Sequence, residues 1–237
     1  MKEQIAQMKT AAEAWSAERV LNWAFETFGD RVAISTALGS GGMVMIDIAA
    51  KLPRKFRVFT LDTKFLFPET YTLIDRVEQR YGIAVEKVDS LSPEEQERVH
   101  GPALWQRNPD QCCNLRKVEP LRRKLSGLQA WITSIRRDQT PERANAGKIE
   151  WDEKFGLVKV NPLADWTSKQ VWQYIREHDV PSNPLHDLNY PSIGCTHCTR
   201  AVLPGEDERA GRWSASSKTE CGLHIIQPLA NPQEADA

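Results

Sequence analysis

Five cysteines constrain this chain more than any other feature of its sequence. Four of them form two short pairs, Cys112-Cys113 and Cys195-Thr196-His197-Cys198, which lie far apart along the chain. A soft metal centre needs several thiolate ligands, and a short spacer lets one loop supply two of them. The two pairs therefore predict one four-thiolate metal site, and a fold that brings residues 112–113 and 195–198 together.

The adjacent cysteines Cys112 and Cys113 favour an iron–sulfur cluster over a single zinc ion. Around one zinc the sulfurs lie about 3.8 Å apart, which neighbouring cysteines reach awkwardly. The ligands of a [4Fe-4S] cube attach to four separate irons and lie farther apart. A zinc site is the alternative, and two pairs of inert buried cysteines are a third. Lys117, on the next expected helix, either offsets the charge of a cluster or is a solvated lysine.

The fifth cysteine, Cys221, has the placement of a reactive thiol. A glycine follows it and leaves the backbone accessible, and His224 stands three residues on. His224 is a candidate partner of the thiolate, by hydrogen bonding or as a cation, unless it is simply a solvated histidine. A metal site plus a spare nucleophile indicates an enzyme.

The hydrophobic pattern predicts an α/β fold, with a parallel twisted sheet flanked by helices, because short apolar strands alternate with amphipathic helices. The expected strands cover residues 31–36, 57–61, 83–88, 130–135 and 156–160. The expected helices cover residues 1–28, 43–51, 68–82, 114–128 and 168–178, the last capped by Thr167. Residues 1–202 are expected to form this domain, and the polar residues 203–237 a mobile tail that carries Cys221.

Composition argues against several classes of protein. The net charge of −1 disfavours general nucleic-acid binding, which needs an excess of Lys and Arg. No apolar run is long enough to span a membrane, and no secretory signal is visible. An odd number of cysteines without such a signal favours a reducing compartment, the cytoplasm.

Two strand ends have the character of ligand-binding segments. Residues 39–42, Gly-Ser-Gly-Gly, follow the first expected strand and open a helix, whose free N–H groups favour an anion or nucleotide. The alternative is that these glycines only permit tight packing. Asp62 ends the second expected strand, where it either contacts a ligand or caps the next helix.

Arginines cluster beside a strand end and shortly before Cys221. Guanidinium groups suit phosphate and sulfate because they donate two parallel hydrogen bonds. Each arginine alone is more often a surface ion-pair residue, but the clustering predicts a site for a small anion. The arginines concerned are Arg136, Arg137, Arg143, Arg209 and Arg212.

Several segments resemble the assimilatory adenylyl-sulfate reductases, over residues 30 to 224. The matching segments are residues 112–121, 131–139, 160–163, 190–200 and 220–224. The resemblance implies an adenine-nucleotide α-hydrolase-like, Rossmann-like fold and a [4Fe-4S] cluster. It also implies reduction of adenosine 5′-phosphosulfate to sulfite and AMP by thioredoxin or a glutaredoxin-like reductant.

By position, the resemblance also implies roles for the candidate residues. The cluster ligands would be Cys112, Cys113, Cys195 and Cys198, and the nucleophile would be Cys221. The positions around the phosphosulfate would be Lys117, Arg209, Arg212 and His224. The nucleotide-binding segments would include Gly39, Ser40, Gly41, Gly42, Leu61 and Asp62, together with Ser134, which stands where relatives carry glycine.

Other departures and rival functions stay open. Lys64-Phe65 replaces a Gly-Arg pair of relatives. The resemblance in the paired cysteines implies that the unphosphorylated nucleotide is the substrate, and no additional basic cluster suits a 3′-phosphate. Lys64 is the one residue that argues against this preference, since it could reach a 3′-phosphate. The segment after Trp213 lacks the tryptophan run of relatives.

Three rival functions stay open. One is a reductase of the 3′-phosphorylated nucleotide or of both nucleotides, and another is a zinc-stabilised binding module. The third is a tRNA-thiolating sulfur transferase, but residues 39–44 lack the phosphate loop of those enzymes. No membrane or nucleic-acid partner is expected, and a homo-oligomer is compatible with the sequence.

Overall fold

The computed structural model describes residues 2–216 and 218–224. These residues form one six-stranded sheet, whose strands are β1 (Val32–Ser35), β2 (Val58–Asp62), β3 (Val85–Asp89), β4 (Ala130–Ile132), β5 (Ile149–Asp152) and β6 (Leu157–Val160). Their order is β3-β2-β1-β4-β6-β5. Neighbouring strands are parallel, except that β5 is antiparallel to β6. The predicted α/β fold is confirmed.

Helices connect and cover the strands. Those in the described residues are α1 (Lys2–Ala12), α2 (Ala17–Phe28), α3 (Ser40–Ala50), α4 (Pro68–Tyr81), α5 (Pro93–His100), α6 (Leu104–Arg107), α7 (Pro109–Cys113), α8 (Glu119–Leu125) and α9 (Ser168–Glu177). Thr167 caps α9, as expected, and forms a reciprocal capping box with Gln170.

Alternating side chains of the strands pack into two hydrophobic cores, one on each face of the sheet. Val32 and Ile34 of β1 belong to the larger core, which also contains the apolar faces of α2, α3, α4 and α9. Ala33 belongs to the smaller core together with Trp131 and Leu121 of α8. Because both faces are covered, functional groups gather at the ends of the strands.

The N-terminal segment differs from the single helix expected over residues 1–28. It forms two helices, because Ser16 acts as an N-cap and its side chain accepts a hydrogen bond from the Arg19 N–H at 3.3 Å. The break lets α1 pack against β5. Strand β5 itself was not predicted, since four residues are too short to establish a period.

The expected helix over residues 114–128 is also interrupted. Residues Asn114–Val118 form a π-helical turn between α7 and α8, in which the Glu119 N–H bonds to the Asn114 carbonyl. Pro120 contributes to this distortion, because it has no N–H and its ring clashes with the carbonyl four residues earlier. The wide turn buries the side chains of Arg116 and Lys117 beside the cysteine pair.

No helix within the described residues is both long and apolar enough to cross a membrane. Residues 203–216 and 218–224 lie against the domain as loops. Residues 225–237 of the expected tail lie outside the described residues. The division at residue 202 and the mobility of the tail stay predictions.

Candidate active site

A cavity of about 230 Å³ opens at the carboxyl ends of the central strands. It lies beside β1 and β4, where the strand order reverses direction, which is the usual ligand position in open α/β sheets. Of the predicted site residues, those that line it are Gly39, Ser40, Gly41, Leu61, Lys117, Ser134, Arg143, Cys195, Arg209, Arg212, Cys221 and His224. The fold therefore brings most of the expected site together.

The glycine-rich segment forms the first turn of α3, because the helix starts at Ser40 with Gly39 as its N-cap. A Cβ on Gly41 would lie 3.3 Å from the carbonyl oxygen of Ser134. Gly42 does not line the cavity but lies against the hydroxyl of Thr36, so its role is close packing. Close packing therefore holds for Gly42, whereas contact of Gly39, Ser40 and Gly41 with an anion or nucleotide stays a prediction.

Replacing Gly42 by Ala is expected to lower stability by roughly 1–3 kcal/mol, because the added methyl would overlap the Thr36 hydroxyl, which accepts a hydrogen bond from the Leu38 N–H at 2.9 Å. The apparent thermal unfolding midpoint should fall by several degrees. Gly127→Ala is the matched control, since its nearest neighbour would lie 4.0 Å away. Equal midpoints for both variants would contradict this packing role.

Asp62 is not among the described residues that line the main cavity. Its carboxylate accepts hydrogen bonds from the Tyr71 hydroxyl and the Lys64 N–H, both at 2.8 Å. Lys64 Nζ lies 3.0 Å from Asp62 Oδ2 and also pairs with Asp89. The carboxylate therefore organises the loop after β2, and a direct contact with the ligand stays a prediction.

The two cysteine pairs meet beside the main cavity. Cys112 and Cys113 at the end of α7 line one small cavity together with Cys195 and Cys198. The loop that carries Cys195 is joined to the loop after β2, because the Thr196 N–H donates to the Phe65 carbonyl at 2.8 Å. The predicted convergence of residues 112–113 and 195–198 is present in the structure.

The thiols of this cluster of four cysteines lie in an environment that penalises charge unless a cation compensates. Burial, and the neighbouring Cys113, raise the pKa of Cys112 to about 12. Burial likewise raises the pKa of Cys198 to about 11. The Cys195 sulfur lies 3.3 Å from the Thr63 hydroxyl. As protonated thiols these groups are neutral, so thiolates here require nearby positive charge.

Two buried cations provide that charge. Arg116, 1% exposed, donates to the Thr63 carbonyl and to Gln96, each at 2.7 Å, while its Nη2 has no partner among the described residues. Lys117 is also buried. Burial opposes its charged form, but the sulfurs of Cys195, Cys113 and Cys221 raise the pKa of this lysine. Two buried cations, one with an unpartnered N–H, fit a site that holds thiolate charge.

Aromatic rings cover this cluster of four cysteines. Trp105 stacks on His197 with ring centroids 4.0 Å apart, and Phe65 meets both rings edge-on. The guanidinium of Arg116 lies 4.0 Å from the Phe65 ring centroid. Phe65, one of the departures from the relatives, thus packs against the thiolate site rather than the main cavity.

Cys221 lines the main cavity, and the residues on both sides of it are held by contacts with the domain. The preceding residue, Glu220, is 4% exposed and pairs with Arg143 at 2.7 Å and Arg209 at 3.4 Å. On the other side, Lys154 Nζ donates to the Gly222 carbonyl. Sequence reasoning missed Glu220, although its position next to the nucleophile was a signal.

Among the described residues, the lysine and arginine side chains that line the cavity are Lys117, Arg143, Arg209 and Arg212. The buried ring of Trp213 lies near three of them, with the Arg212 guanidinium 4.5 Å from its centroid. An electron-rich ring face lowers the cost of gathering positive charges. The arrangement can bind a small anion of high charge.

Arg136 and Arg137 are not among the residues that line the cavity. Arg136 Nε pairs with Asp138 at 2.9 Å, and Arg137 pairs with Glu13 of the loop between α1 and α2. Their side chains hold loops in place, and their expected contact with a ligand stays a prediction.

His224 stacks on Trp131, with ring centroids 5.6 Å apart. Burial, together with the positive charges of Lys159 and Arg143, lowers the pKa of His224 well below its usual value. The imidazole is therefore neutral near pH 7. The positive charges that can stabilise the Cys221 thiolate are therefore those of the lysine and arginines that line the cavity. A hydrogen bond from His224 to Cys221 stays a prediction.

Comparison with known proteins agrees with this geometry. Residues 31–201 match the phosphoadenosine phosphosulfate reductase domain. An adenosine 5′-phosphosulfate reductase of Halalkalibacterium halodurans is 48% identical over 93% of this chain and 96% of its own length. One from Salinibacter ruber is 45% identical over 98% and 91%. The solved phosphoadenylyl-sulfate reductase of Candida auris, in a phosphate complex, is 34% identical with a TM-score of 0.74, over 84% of this chain and 98% of that chain.

Proposed function

Because this chain belongs to the phosphoadenosine phosphosulfate reductase family, we propose that it reduces adenosine 5′-phosphosulfate to sulfite and AMP with a thioredoxin-type dithiol. It is an oxidoreductase of assimilatory sulfate reduction. The observation that carries the proposal is the position of Cys221, in a strand-end cavity with four cations.

In the first step, the Cys221 thiolate attacks the sulfur of the phosphosulfate. A bond forms between the cysteine and substrate sulfurs, and the sulfur–oxygen bond to the phosphate breaks with its electron pair leaving on AMP. Lys117, Arg143, Arg209 and Arg212 stabilise the charge that develops on the phosphate oxygen, because they are already gathered around the cavity. The product on the enzyme is a Cys221 S-sulfonate.

In the second step, a thiolate of the reductant attacks the Cys221 sulfur and expels sulfite with the electron pair. This leaves a mixed disulfide, which the second thiol of the reductant resolves, so that Cys221 is regenerated and the reductant becomes a disulfide. The other four cysteines of the chain lie around the cavity beside α7. The resolving thiol therefore comes from the partner.

We further propose that Cys112, Cys113, Cys195 and Cys198 hold a [4Fe-4S] cluster. The support is their convergence, the buried cations Arg116 and Lys117, and the aromatic cover. When bound, such a cluster would place a fixed negative charge beside Lys117. Lys117 would then be held between this charge and the cavity, since it interacts with both Cys195 and Cys221.

A sulfite-release assay with thioredoxin tests the proposed function directly. The purified protein is supplied, under nitrogen, with adenosine 5′-phosphosulfate or its 3′-phosphorylated form, and sulfite and AMP are measured. Equimolar sulfite and AMP are expected. Absence of sulfite from protein with full iron content would end the proposal.

The unphosphorylated nucleotide is expected to be preferred by about tenfold or more in kcat/KM, because Lys64, the candidate 3′-phosphate ligand, already pairs with Asp62 and Asp89. Lys64→Gly tests this, since Lys64 has a positive φ of 58° that glycine adopts freely. The preference should be unchanged in this variant. Comparable kcat/KM values in the wild type, with selective loss of the 3′-phosphorylated substrate in Lys64→Gly, would contradict it.

A further inference from the structure

Glu220 is the only carboxylate among the described residues that line the main cavity. Its side chain is 2% exposed and lies between two guanidiniums, with Arg143 Nη2 at 2.7 Å and Arg209 Nη2 at 3.4 Å. Burying a carboxylate costs free energy, and the two guanidiniums beside it offset that cost. Its position in a cavity suited to anions needs an explanation.

The contacts of Arg143 show that Glu220 leaves part of the guanidinium for a ligand. One terminal nitrogen donates to Gln139 at 2.7 Å and the other to Glu220. The Nε of Arg143 is buried and has no partner among the described residues. The amide oxygen of Gln139 and the carboxylate of Glu220 thus fix the orientation of the guanidinium, while its Nε stays available as a donor.

The contacts of Arg209 connect the same network to the backbone beside the nucleophile. Its Nη2 donates to the Thr219 carbonyl at 2.9 Å, next to its contact with Glu220. Residues 219 and 220 are therefore both held by a guanidinium that lines the cavity, immediately before Cys221. Anchors at two successive residues restrict where the thiol can lie.

We propose that Glu220 is a positioning residue that seats Cys221 against the bound phosphosulfate through Arg143 and Arg209. Its charge also opposes that of the ligand, so it lowers affinity for the anion while it aligns the nucleophile. The part that concerns the ligand rests on the proposed function, whereas the anchoring of Cys221 does not.

Glu220→Gln separates these effects, because it keeps the shape of the side chain and removes the charge. Three measurements are expected to respond differently to this substitution. The Cys221 S-sulfonate should form about tenfold more slowly in a single turnover, because a charge-assisted anchor is lost. AMP should bind at least as tightly as to wild type, since a competing anion has gone. Iodoacetamide should modify Cys221 several-fold faster in the ligand-free protein, as followed by peptide mass spectrometry.

Glu206→Gln is the matched control, since Glu206 pairs with Arg200 at 2.8 Å and is not among the residues that line the main cavity. It should leave all three quantities unchanged. Visible absorbance and the thermal midpoint show whether either variant loses its fold.

An unchanged alkylation rate of Cys221 in Glu220→Gln would overturn the proposed anchoring, whatever reaction the protein catalyses. If AMP bound more weakly to Glu220→Gln in proportion to the slower sulfonation, the proposal that Glu220 lowers anion affinity while it aligns Cys221 would be overturned. Wild-type protein that forms no S-sulfonate would instead count against the proposed function.

Discussion

Cys221→Ser is expected to abolish sulfite formation while leaving the fold and the proposed cluster intact. The hydroxyl of serine is a far weaker nucleophile than a thiolate at neutral pH, so the first step should slow by about a thousandfold or more. The four other cysteines line the small cavity beside α7, and Cys221 is not among the residues that line it. Iron and sulfide content, visible absorbance and AMP binding should therefore equal those of the wild type.

Mass spectrometry gives the direct test of this role. Wild-type protein mixed with adenosine 5′-phosphosulfate and no reductant should carry one sulfonate, on the peptide that contains Cys221. Addition of thioredoxin should remove it and release one equivalent of sulfite. A sulfonate on another residue, or turnover by the serine variant, would contradict the assignment of Cys221 as the nucleophile.

The parts of the site that sequence predicted best are those whose chemistry is carried by residue type and spacing. Two cysteine pairs have few roles in one chain, so their convergence followed from the pairs alone. The glycine-rich turn was placed at a strand end because strand and helix periods differ clearly. The parallel sheet followed from the same alternation.

Other features depend on contacts between distant segments, which periodicity does not reveal. Arg136 and Arg137 follow a strand end as expected, yet Arg136 pairs with Asp138 and Arg137 pairs with Glu13. Arg116 was not singled out, because its burial results from a π-helical turn. That turn depends on a local backbone distortion near Pro120, which no pattern of apolar residues encodes.

His224 shows the same limit for electrostatics. Its nearness to Cys221 in sequence suggested a cation that supports the thiolate, but the surrounding Lys159 and Arg143, and its burial against Trp131, favour the neutral form. The charge state of a buried group is set by its neighbours in space, and these come from β6 and from the loop before β5. Sequence spacing alone therefore identified the residue but not its charge.

Cys195→Ser is expected to remove the proposed cluster and most of the activity. Cys195 is 6% exposed, and its sulfur contacts the Thr63 hydroxyl at 3.3 Å, so a serine at this position would lie in the same buried site without a thiolate. A cube that lacks one thiolate is labile, and a serine hydroxyl is a poor replacement for a soft ligand. Iron and sulfide should fall far below the wild-type content, and the visible absorbance should be lost.

The comparison with Cys221→Ser makes this result specific to ligation. Both variants remove one sulfur, yet only the variant at residue 195 should lose iron, because Cys221 lines the main cavity and not the cavity beside α7. Loss of the cluster also leaves Arg116 and Lys117 buried without thiolate charge, which is costly. The thermal midpoint of Cys195→Ser should therefore fall, while that of Cys221→Ser stays near the wild type. Wild-type protein with one equivalent of zinc, no iron and full turnover would show instead that the four cysteines form a different metal site.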